Sequence, residues 1–121
     1  LEPLSGYLLL TTKLFSNPNA YSGSWNFGPN SNETFSVLKL ANYIKNFFGS
    51  GEIKILDHKN AHHHETELLK LNCDKANIFL NWVPKWDISK TLEMTASWYK
   101  NVLEGKEARD VTLKQIKDFF S

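Results

Sequence analysis

The sequence predicts a small α+β domain that is mostly helical and has a few short strands. Apolar residues recur at helical spacing along several long segments, and short runs between them alternate as strands do. The predicted order is helix, strand, helix, strand, strand and three helices, which is too irregular for a doubly wound sheet. With 121 residues, residues 1–121 are expected to form one domain with a buried core.

The first helix is expected over residues 1–15, where a stripe recurs at helical spacing: Leu4, Leu8, Thr11 and Phe15. Pro3 suits a first turn, since its missing N–H is not needed there. Asn17-Pro18-Asn19 is expected to stop this helix. Ser24 to Phe27 has the aromatic content of a short strand, closed by Gly28-Pro29-Asn30.

The clearest helical pattern covers Thr34 to Phe48, whose apolar stripe is Val37, Leu40, Ala41, Ile44 and Phe48. Asn32 is the expected N-cap and Gly49 the expected end of this helix. Glu52 to Leu56 alternates as a strand does, and so do Leu69 and Leu71 around Lys70.

Three helices are expected in the last part of the chain. Cys73 to Leu80 is short, with Cys73, Ala76 and Leu80 facing inward. Asp87 is expected to cap a longer helix from Ile88 to Leu103, which Gly105 ends. Thr112 and Gln115 form a capping-box pair that would open the last helix, which carries Leu113, Ile116, Phe119 and Phe120.

Composition narrows the classes of function. The net charge is +1 and the lysines are balanced by acids, which argues against a nucleic-acid-binding surface. One cysteine excludes an internal disulfide and fits a reducing compartment. The apolar runs are too short to span a bilayer, and no signal-peptide pattern is present, so a cytoplasmic protein is expected. The chain opens at Leu1 rather than Met, so we expect it to begin either inside a longer product or after a removed tag.

The sequence contains no motif for covalent or acid–base catalysis. The glycines are scattered, and none forms a dinucleotide or phosphate loop. Neither a Tyr-x-x-x-Lys pair nor a GxSxG elbow occurs. No catalytic or cofactor-binding residue is therefore expected in this chain.

The histidines at 62–64, with His58 nearby, suggest a metal site. On a strand, His62 and His64 would share one face, which is an accepted spacing for zinc ligands. A third and a fourth ligand are missing elsewhere in the chain, so the preferred interpretation is an exposed polar loop without metal.

Three further features each allow two interpretations. Lys70 is either a solvated lysine on an edge strand or a point charge for a phosphate or an acidic partner. Cys73 begins a helix, where the dipole would activate a thiol, but it also lies on the apolar stripe, and a buried structural thiol is preferred. Trp82 and Trp86 flank Pro84 and are expected to clamp the short helix against the long one, with base stacking as the alternative.

Several segments, in order, look like one known family. They are Leu1–Leu10, Tyr21–Pro29, His64–Ala76, Trp82–Trp86, Ser97–Lys100 and Thr112–Ile116. Together they resemble the carboxyl-terminal, substrate-binding part of the CDP-glucose 4,6-dehydratases, which are extended short-chain dehydrogenase/reductases of the NAD-dependent epimerase/dehydratase family. Asn72, Asp74 and Asn81 stand where that family has Asp, Ser and Gly, and Asn81 would be strained if its turn needs a positive φ.

The resemblance implies a lyase of nucleotide-sugar metabolism that uses tightly held NAD. Such enzymes oxidise the hexose of CDP-glucose at C4, eliminate water across C5 and C6 and return the hydride to C6, giving a precursor for polysaccharide biosynthesis. The implied fold is the carboxyl-terminal lobe of such an enzyme without its Rossmann lobe. Without that lobe the chain is not expected to be catalytic or to bind NAD alone.

The resemblance also implies partners and site residues. The expected partners are a CDP-sugar and the amino-terminal Rossmann portion, with self-association into a homo-oligomer but no nucleic acid or membrane. The substrate-binding residues it implies are Trp25, Asn26, His64 and Glu65. Lys70 joins them as the candidate point charge named above. The alternative is a stand-alone nucleotide- or protein-binding domain, a split-gene relic without enzyme activity.

Overall fold

Helices make up all the regular structure that the computed structural model describes, which covers residues 1–30, 35–55 and 71–121. In these ranges the order is α1 (Glu2–Ser16), α2 (Pro18–Tyr21), α3 (Val37–Phe48), α4 (Asp74–Leu80), α5 (Ile88–Leu103) and α6 (Ala108–Phe120). The mostly helical domain is confirmed over these residues. Within them, no helix is both long and apolar enough to cross a membrane.

Helix α1 begins and ends where the sequence predicts. Pro3 lies in its first turn and Asn17 is its C-cap. The Asn17 side chain also accepts a hydrogen bond from the Ala20 N–H at 3.2 Å, so the same residue starts the short helix α2. The sequence suggested a stop here, because Asn-Pro-Asn breaks a helix, but it gave no sign that a further turn follows.

The apolar stripe of α1 faces solvent, contrary to the role of a core face that its spacing suggests. Leu4, Leu8 and Phe15 are 55%, 64% and 91% exposed. The helix is instead buried along Glu2 and Gly6. Gly6 leaves room for an aromatic ring directly against the helix backbone, and this close approach turns the glycine side inward.

The predicted strands are not confirmed in the described residues. Ser24 to Phe27 runs as irregular backbone, and residues 52–55 and Leu71 are likewise outside any strand. A strand exists only as part of a ladder, and these segments have none to join here despite their alternating pattern. Leu56, Leu69 and Lys70 lie outside the described residues.

Helix α3 is confirmed, with a later start than predicted. Ser36 is its N-cap, and the Ser36 side chain accepts a hydrogen bond from the Lys39 N–H at 3.2 Å. Asn32, the predicted cap, lies outside the described residues. Gly49 ends the helix in the left-handed conformation with φ of 74°, as its sequence position predicts.

Helices α4 and α5 match their predictions closely. Ala76 and Leu80 are buried and Cys73, the N-cap of α4, is half-buried. Asp87 caps α5 by accepting a hydrogen bond from the Lys90 N–H at 2.7 Å. The chain leaves α5 at Glu104 and Gly105, where Gly105 has a φ of 89°.

The capping box at Thr112 and Gln115 is wrong, because α6 begins at Ala108 with Glu107 as its N-cap. Thr112 therefore lies inside the helix, where its hydroxyl donates to the Ala108 carbonyl at 2.7 Å. It also accepts the indole N–H of Trp98 at 2.8 Å. Gln115 donates to the Met94 carbonyl at 2.7 Å, so both side chains join α6 to α5.

The hydrogen bond between Trp98 and Thr112 tests whether Thr112 lies inside α6 rather than at its start. Thr112→Val keeps the side-chain shape but leaves the half-buried Trp98 indole N–H without its acceptor, and we expect the free energy of unfolding to fall by about 1 kcal/mol. Urea unfolding followed by tryptophan fluorescence measures the loss. Thr95→Val, at an exposed position of α5, is the control and should change the free energy of unfolding little. An equal loss in both variants would contradict the bond to Trp98.

The core lies where the loop after α2 meets α4. Four residues form its buried centre: Phe27, Ala76, Leu80 and Trp82. Half-buried side chains of α1, the α2 loop and α4 pack around it: Leu9, Leu10, Tyr21, Trp25 and Cys73. A second set joins α3, α5 and α6, with Ala96 and Phe119 buried. The turn between α4 and α5 connects these two packed regions.

Candidate ligand-binding site

An open pocket of about 470 Å³ lies over the core, and we call it the α4 cleft. Three segments line it: the loop Gly28–Asn30, the start of α4, and the turn that follows α4. The lining residues are Gly28, Pro29, Asn30, Leu71, Asn72, Cys73, Asp74, Asn77, Trp82, Val83 and Pro84. Its polar side chains are three amides and one carboxylate, and the described part of its lining contains no lysine or arginine.

Hydrogen bonds fix the α4 side of the cleft. The Asn72 side chain accepts from the Asp74 N–H at 2.8 Å and donates to the Asp74 carboxylate at 2.9 Å. Asn26 donates from its side chain to the Asn72 carbonyl at 3.2 Å. Asn26 is exposed and lies beside Asn72 at the edge of the cleft. Its hydrogen bond ties the loop after α2 to the segment that enters α4.

Trp25 faces the core rather than the cleft. Its indole N–H donates to the Tyr21 carbonyl at 2.8 Å, and its ring stacks on Tyr21 with centroids 6.4 Å apart. The Lys75 ammonium lies 4.2 Å from the centroid of the Trp25 ring and donates to the Ser24 carbonyl at 3.0 Å. These contacts make Trp25 a support for Asn26, its neighbour in the chain.

The other predicted substrate contacts, His64, Glu65 and Lys70, lie outside the described residues, as do His58, His62 and His63. The structure therefore brings together Trp25 and Asn26 alone from the predicted set. Over the described ranges, no group of three His, Cys, Asp or Glu side chains could hold a metal ion.

Cys73 lines the cleft instead of being fully buried. It is half-buried, and its thiol lies 3.9 Å from the Leu71 carbonyl, the weak hydrogen bond of a sulfur donor. It also packs against Gly28, since a Cβ placed on that glycine would be 3.6 Å from the Cys73 sulfur. Cys73 therefore packs against its neighbours, as a structural thiol would, and also forms part of the cleft wall.

The far wall of the cleft is the turn that starts after α4, at Asn81. Asn81 has a φ of 53°, the left-handed conformation that a glycine adopts without strain and that asparagine tolerates better than most residues. Trp82 then turns into the core, where its ring meets Phe27 edge-on at 5.0 Å and its indole N–H donates to the Ser5 hydroxyl at 3.0 Å.

The two tryptophans of this turn do not clamp α4 against α5, so that prediction is wrong. Trp82 contacts α1 and the loop after α2, whereas Trp86 packs edge-on against Phe119 of α6 at 4.8 Å. The tryptophans therefore hold the turn between the two packed regions.

Glu2 holds the same turn, and sequence reasoning missed it. Its carboxylate is buried and accepts the backbone N–H of Lys85 at 3.0 Å and that of Trp86 at 2.6 Å. The Lys85 ammonium in turn donates to the Phe119 carbonyl at 2.5 Å. In the sequence, a glutamate before a proline looks like an ordinary helix start, and nothing local points to partners more than eighty residues away.

The residues described do not fit a dinucleotide. A dinucleotide pyrophosphate needs glycines at a helix start so that backbone N–H groups can approach it closely. The described helices start after Leu1, Asn17, Ser36, Cys73, Asp87 and Glu107, none of which is a glycine. We therefore assign no NAD contact to the residues that the structure describes.

Comparison with known proteins agrees with the sequence segments noted above. The chain is 34% identical over all of its 121 residues to a CDP-glucose 4,6-dehydratase of Salmonella typhimurium, and it covers 33% of that protein. No family model matches the chain. The chain thus spans about a third of the length of the relative it matches. The resemblance to CDP-glucose 4,6-dehydratase is confirmed along the whole chain, and the part of the relative that it matches is the carboxyl-terminal one.

Proposed function

We propose that the chain is the CDP-sugar-binding portion of an NAD-dependent CDP-glucose 4,6-dehydratase. The observation that carries the proposal is the similarity of this chain, over its whole length, to part of a dehydratase of that name. In this proposal an amino-terminal dinucleotide-binding portion supplies NAD and the catalytic residues, and NAD when bound there would take and return the hydride. The chain itself binds and orients the sugar nucleotide.

The α4 cleft is the part of the chain that we assign to this role. Its volume of about 470 Å³ lies in the range of small-molecule sites. The side chains of Asn30, Asn72 and Asn77 each offer both donors and acceptors. A cytosine ring presents the same mixture along its edge, so amides are suitable groups to recognise it.

The remaining proposed residues have two roles: some hold the edge of the cleft in place, and others would contact the charged part of the ligand. Asn26 and Trp25 hold the cleft edge, through the bond to Asn72 and the packing beneath it. His64, Glu65 and Lys70 stay proposed for the charged part of the ligand. Lys70 directly precedes Leu71 of the cleft lining, and a lysine is a suitable point charge for a diphosphate.

Calorimetric titration of the chain with CDP and with CDP-glucose tests the proposal. We expect both to bind at one site, and Asn72→Ala to weaken binding about tenfold, because it removes an amide from the cleft and unties Asp74. Asn42→Ala on exposed α3, away from the cleft, is the matched control and should bind like the unchanged chain. Flat titrations with both nucleotides would overturn the assignment of the cleft.

The same samples address the alternative of a binding domain without enzyme activity. The chain alone is expected to form no 4-keto sugar from CDP-glucose, since it lacks the cofactor fingerprint and the catalytic pair. Equal affinity for CDP, ADP and GDP would favour a general nucleotide-binding domain over a CDP-sugar portion.

A further inference from the structure

One side of α1 is apolar and uncovered. Its residues are Leu4, Leu8 and Phe15, with Tyr7 beside them, and they are 55%, 64%, 91% and 53% exposed. We call this surface the α1 outer face. Its polar groups are the hydroxyls of Tyr7 and of the neighbouring Thr11, and α1 has no charged residue between Glu2 and Lys13.

The opposite side of the same helix is already in use. Gly6 lies against the buried Phe27 ring, and Leu9 and Leu10 pack on the core. A surface helix of a globular domain normally pairs one apolar stripe with a polar face. A helix that is apolar on both sides is typical of one covered by a second layer, and large apolar patches mark such contact surfaces.

We propose that the α1 outer face is the docking surface for an amino-terminal dinucleotide-binding portion, attached to this chain or separate from it. This inference rests on the proposed function. In the dehydratase relative, the matched part takes up 33% and is carboxyl-terminal, so about two thirds of that protein precedes it. A partner of that size is the natural second layer for an uncharged helix face.

The position of the face along the chain supports the same occupant. α1 is the first element, and Leu4 and Leu8 lie within about 10 Å of Leu1 along the helix axis. Polypeptide that precedes residue 1 in the relative therefore arrives beside these side chains. The partner surface has to be apolar, because a charged one would be desolvated against leucine and phenylalanine without compensation.

Thiol labelling measures whether the face is covered. In a Cys73→Ser background, Leu8→Cys and Phe15→Cys place single thiols on the face, and Leu103→Cys places one on an exposed site at the end of α5 as the matched control. Maleimide labelling rates are compared between the chain alone and a chimera in which it replaces the matched third of the Salmonella typhimurium protein.

We expect labelling at positions 8 and 15 to be at least tenfold slower in the chimera, and labelling at position 103 to be the same in both. Equal rates at all three positions would overturn the proposal. Slow labelling at position 8 in the chain alone, growing slower with concentration, would overturn it as well, because a second copy would then be the occupant.

A chimera that does not fold is replaced by a test in trans. The chain and the separately produced amino-terminal portion are mixed and analysed by sedimentation, where we expect a complex that Leu8→Glu abolishes and Leu103→Glu leaves intact. Failure to form the complex, or a complex indifferent to Leu8→Glu, overturns the docking surface.

The docking surface and the proposed function can fail separately. Leu8 is outside the lining of the α4 cleft, so Leu8→Glu is expected to leave CDP binding unchanged. Normal CDP binding with an uncovered face would overturn the docking surface alone. A covered face without CDP binding would overturn the assignment of the cleft.

Discussion

Replacing Glu2 by glutamine is expected to lower the free energy of unfolding by about 2–4 kcal/mol. The carboxylate is buried and accepts two backbone hydrogen bonds, from Lys85 and Trp86. Glutamine keeps the size of the side chain but has only one acceptor oxygen. Its NH₂ group would face one of the two backbone N–H groups, so that N–H would lose its acceptor and the NH₂ group would have none either, while the amide oxygen still accepts the other N–H. Urea unfolding followed by tryptophan fluorescence measures the loss.

The control for this substitution is Glu52→Gln. Glu52 is exposed and lies 4.0 Å from Lys54, a surface ion pair that contributes little to stability. Its replacement should shift the free energy of unfolding by less than about 0.5 kcal/mol. A Glu2→Gln protein as stable as the Glu52→Gln protein would contradict the account of the buried carboxylate.

The effect of Glu2 should also reach the cleft. Val83 and Pro84 line the cleft, and Lys85 and Trp86, whose N–H groups bond to Glu2, follow them directly. A looser turn would widen the wall opposite Asn72, so the Glu2→Gln protein is expected to bind CDP more weakly even where it is fully folded. Glu2 would then act as a positioning residue, without touching the ligand.

The helices could be predicted because their signals are local. The stripe of α3, the Asp87 cap of α5 and the Gly49 end of α3 each depend on residues within a turn or two of one another. Thr112 and Gln115 show the limit of such signals. Their spacing fits a capping box, but both side chains form hydrogen bonds to α5. Helix α6 starts one turn earlier, at Ala108, and Glu107 at its N-cap forms no side-chain capping bond that the sequence could have indicated.

The candidate site could be predicted only in part, because its geometry depends on distant pairs. Asn26 was singled out from a resemblance, yet its partner Asn72 is 46 residues away, and no local pattern joins the two. The strands failed for the same reason, since alternation describes a segment while a strand requires a neighbour. The roles of Glu2 and Gly6 could not be predicted from the residues around them. The role of Glu2 depends on the distant backbone N–H groups that it accepts, and that of Gly6 on the Phe27 ring packed against it.

Gly6→Ala is the second substitution with a large expected effect. Alanine is the better helix former by about 1 kcal/mol, so an open helical position would be stabilised. At Gly6, however, a Cβ would lie 2.2 Å from a carbon of the Phe27 ring. That ring is held edge-on between Tyr7 and Trp82, with centroids 5.4 Å and 5.0 Å away, and has little room to move. Overpacking should therefore prevail, and we expect a net loss of about 1–3 kcal/mol in urea unfolding.

A double-mutant cycle ties this loss to the contact between helix and ring. Phe27→Leu removes the ring edge that the new methyl group would strike, so Gly6→Ala should cost much less in that background than in the unchanged chain. Thr11→Ala, at an exposed position of α1, controls for helix propensity and should not destabilise the protein. If Gly6→Ala costs the same with and without the ring, the close approach of Phe27 is not what requires glycine here. If the cost falls as expected, one missing side chain decides which face of α1 is buried and leaves its leucines and Phe15 outward.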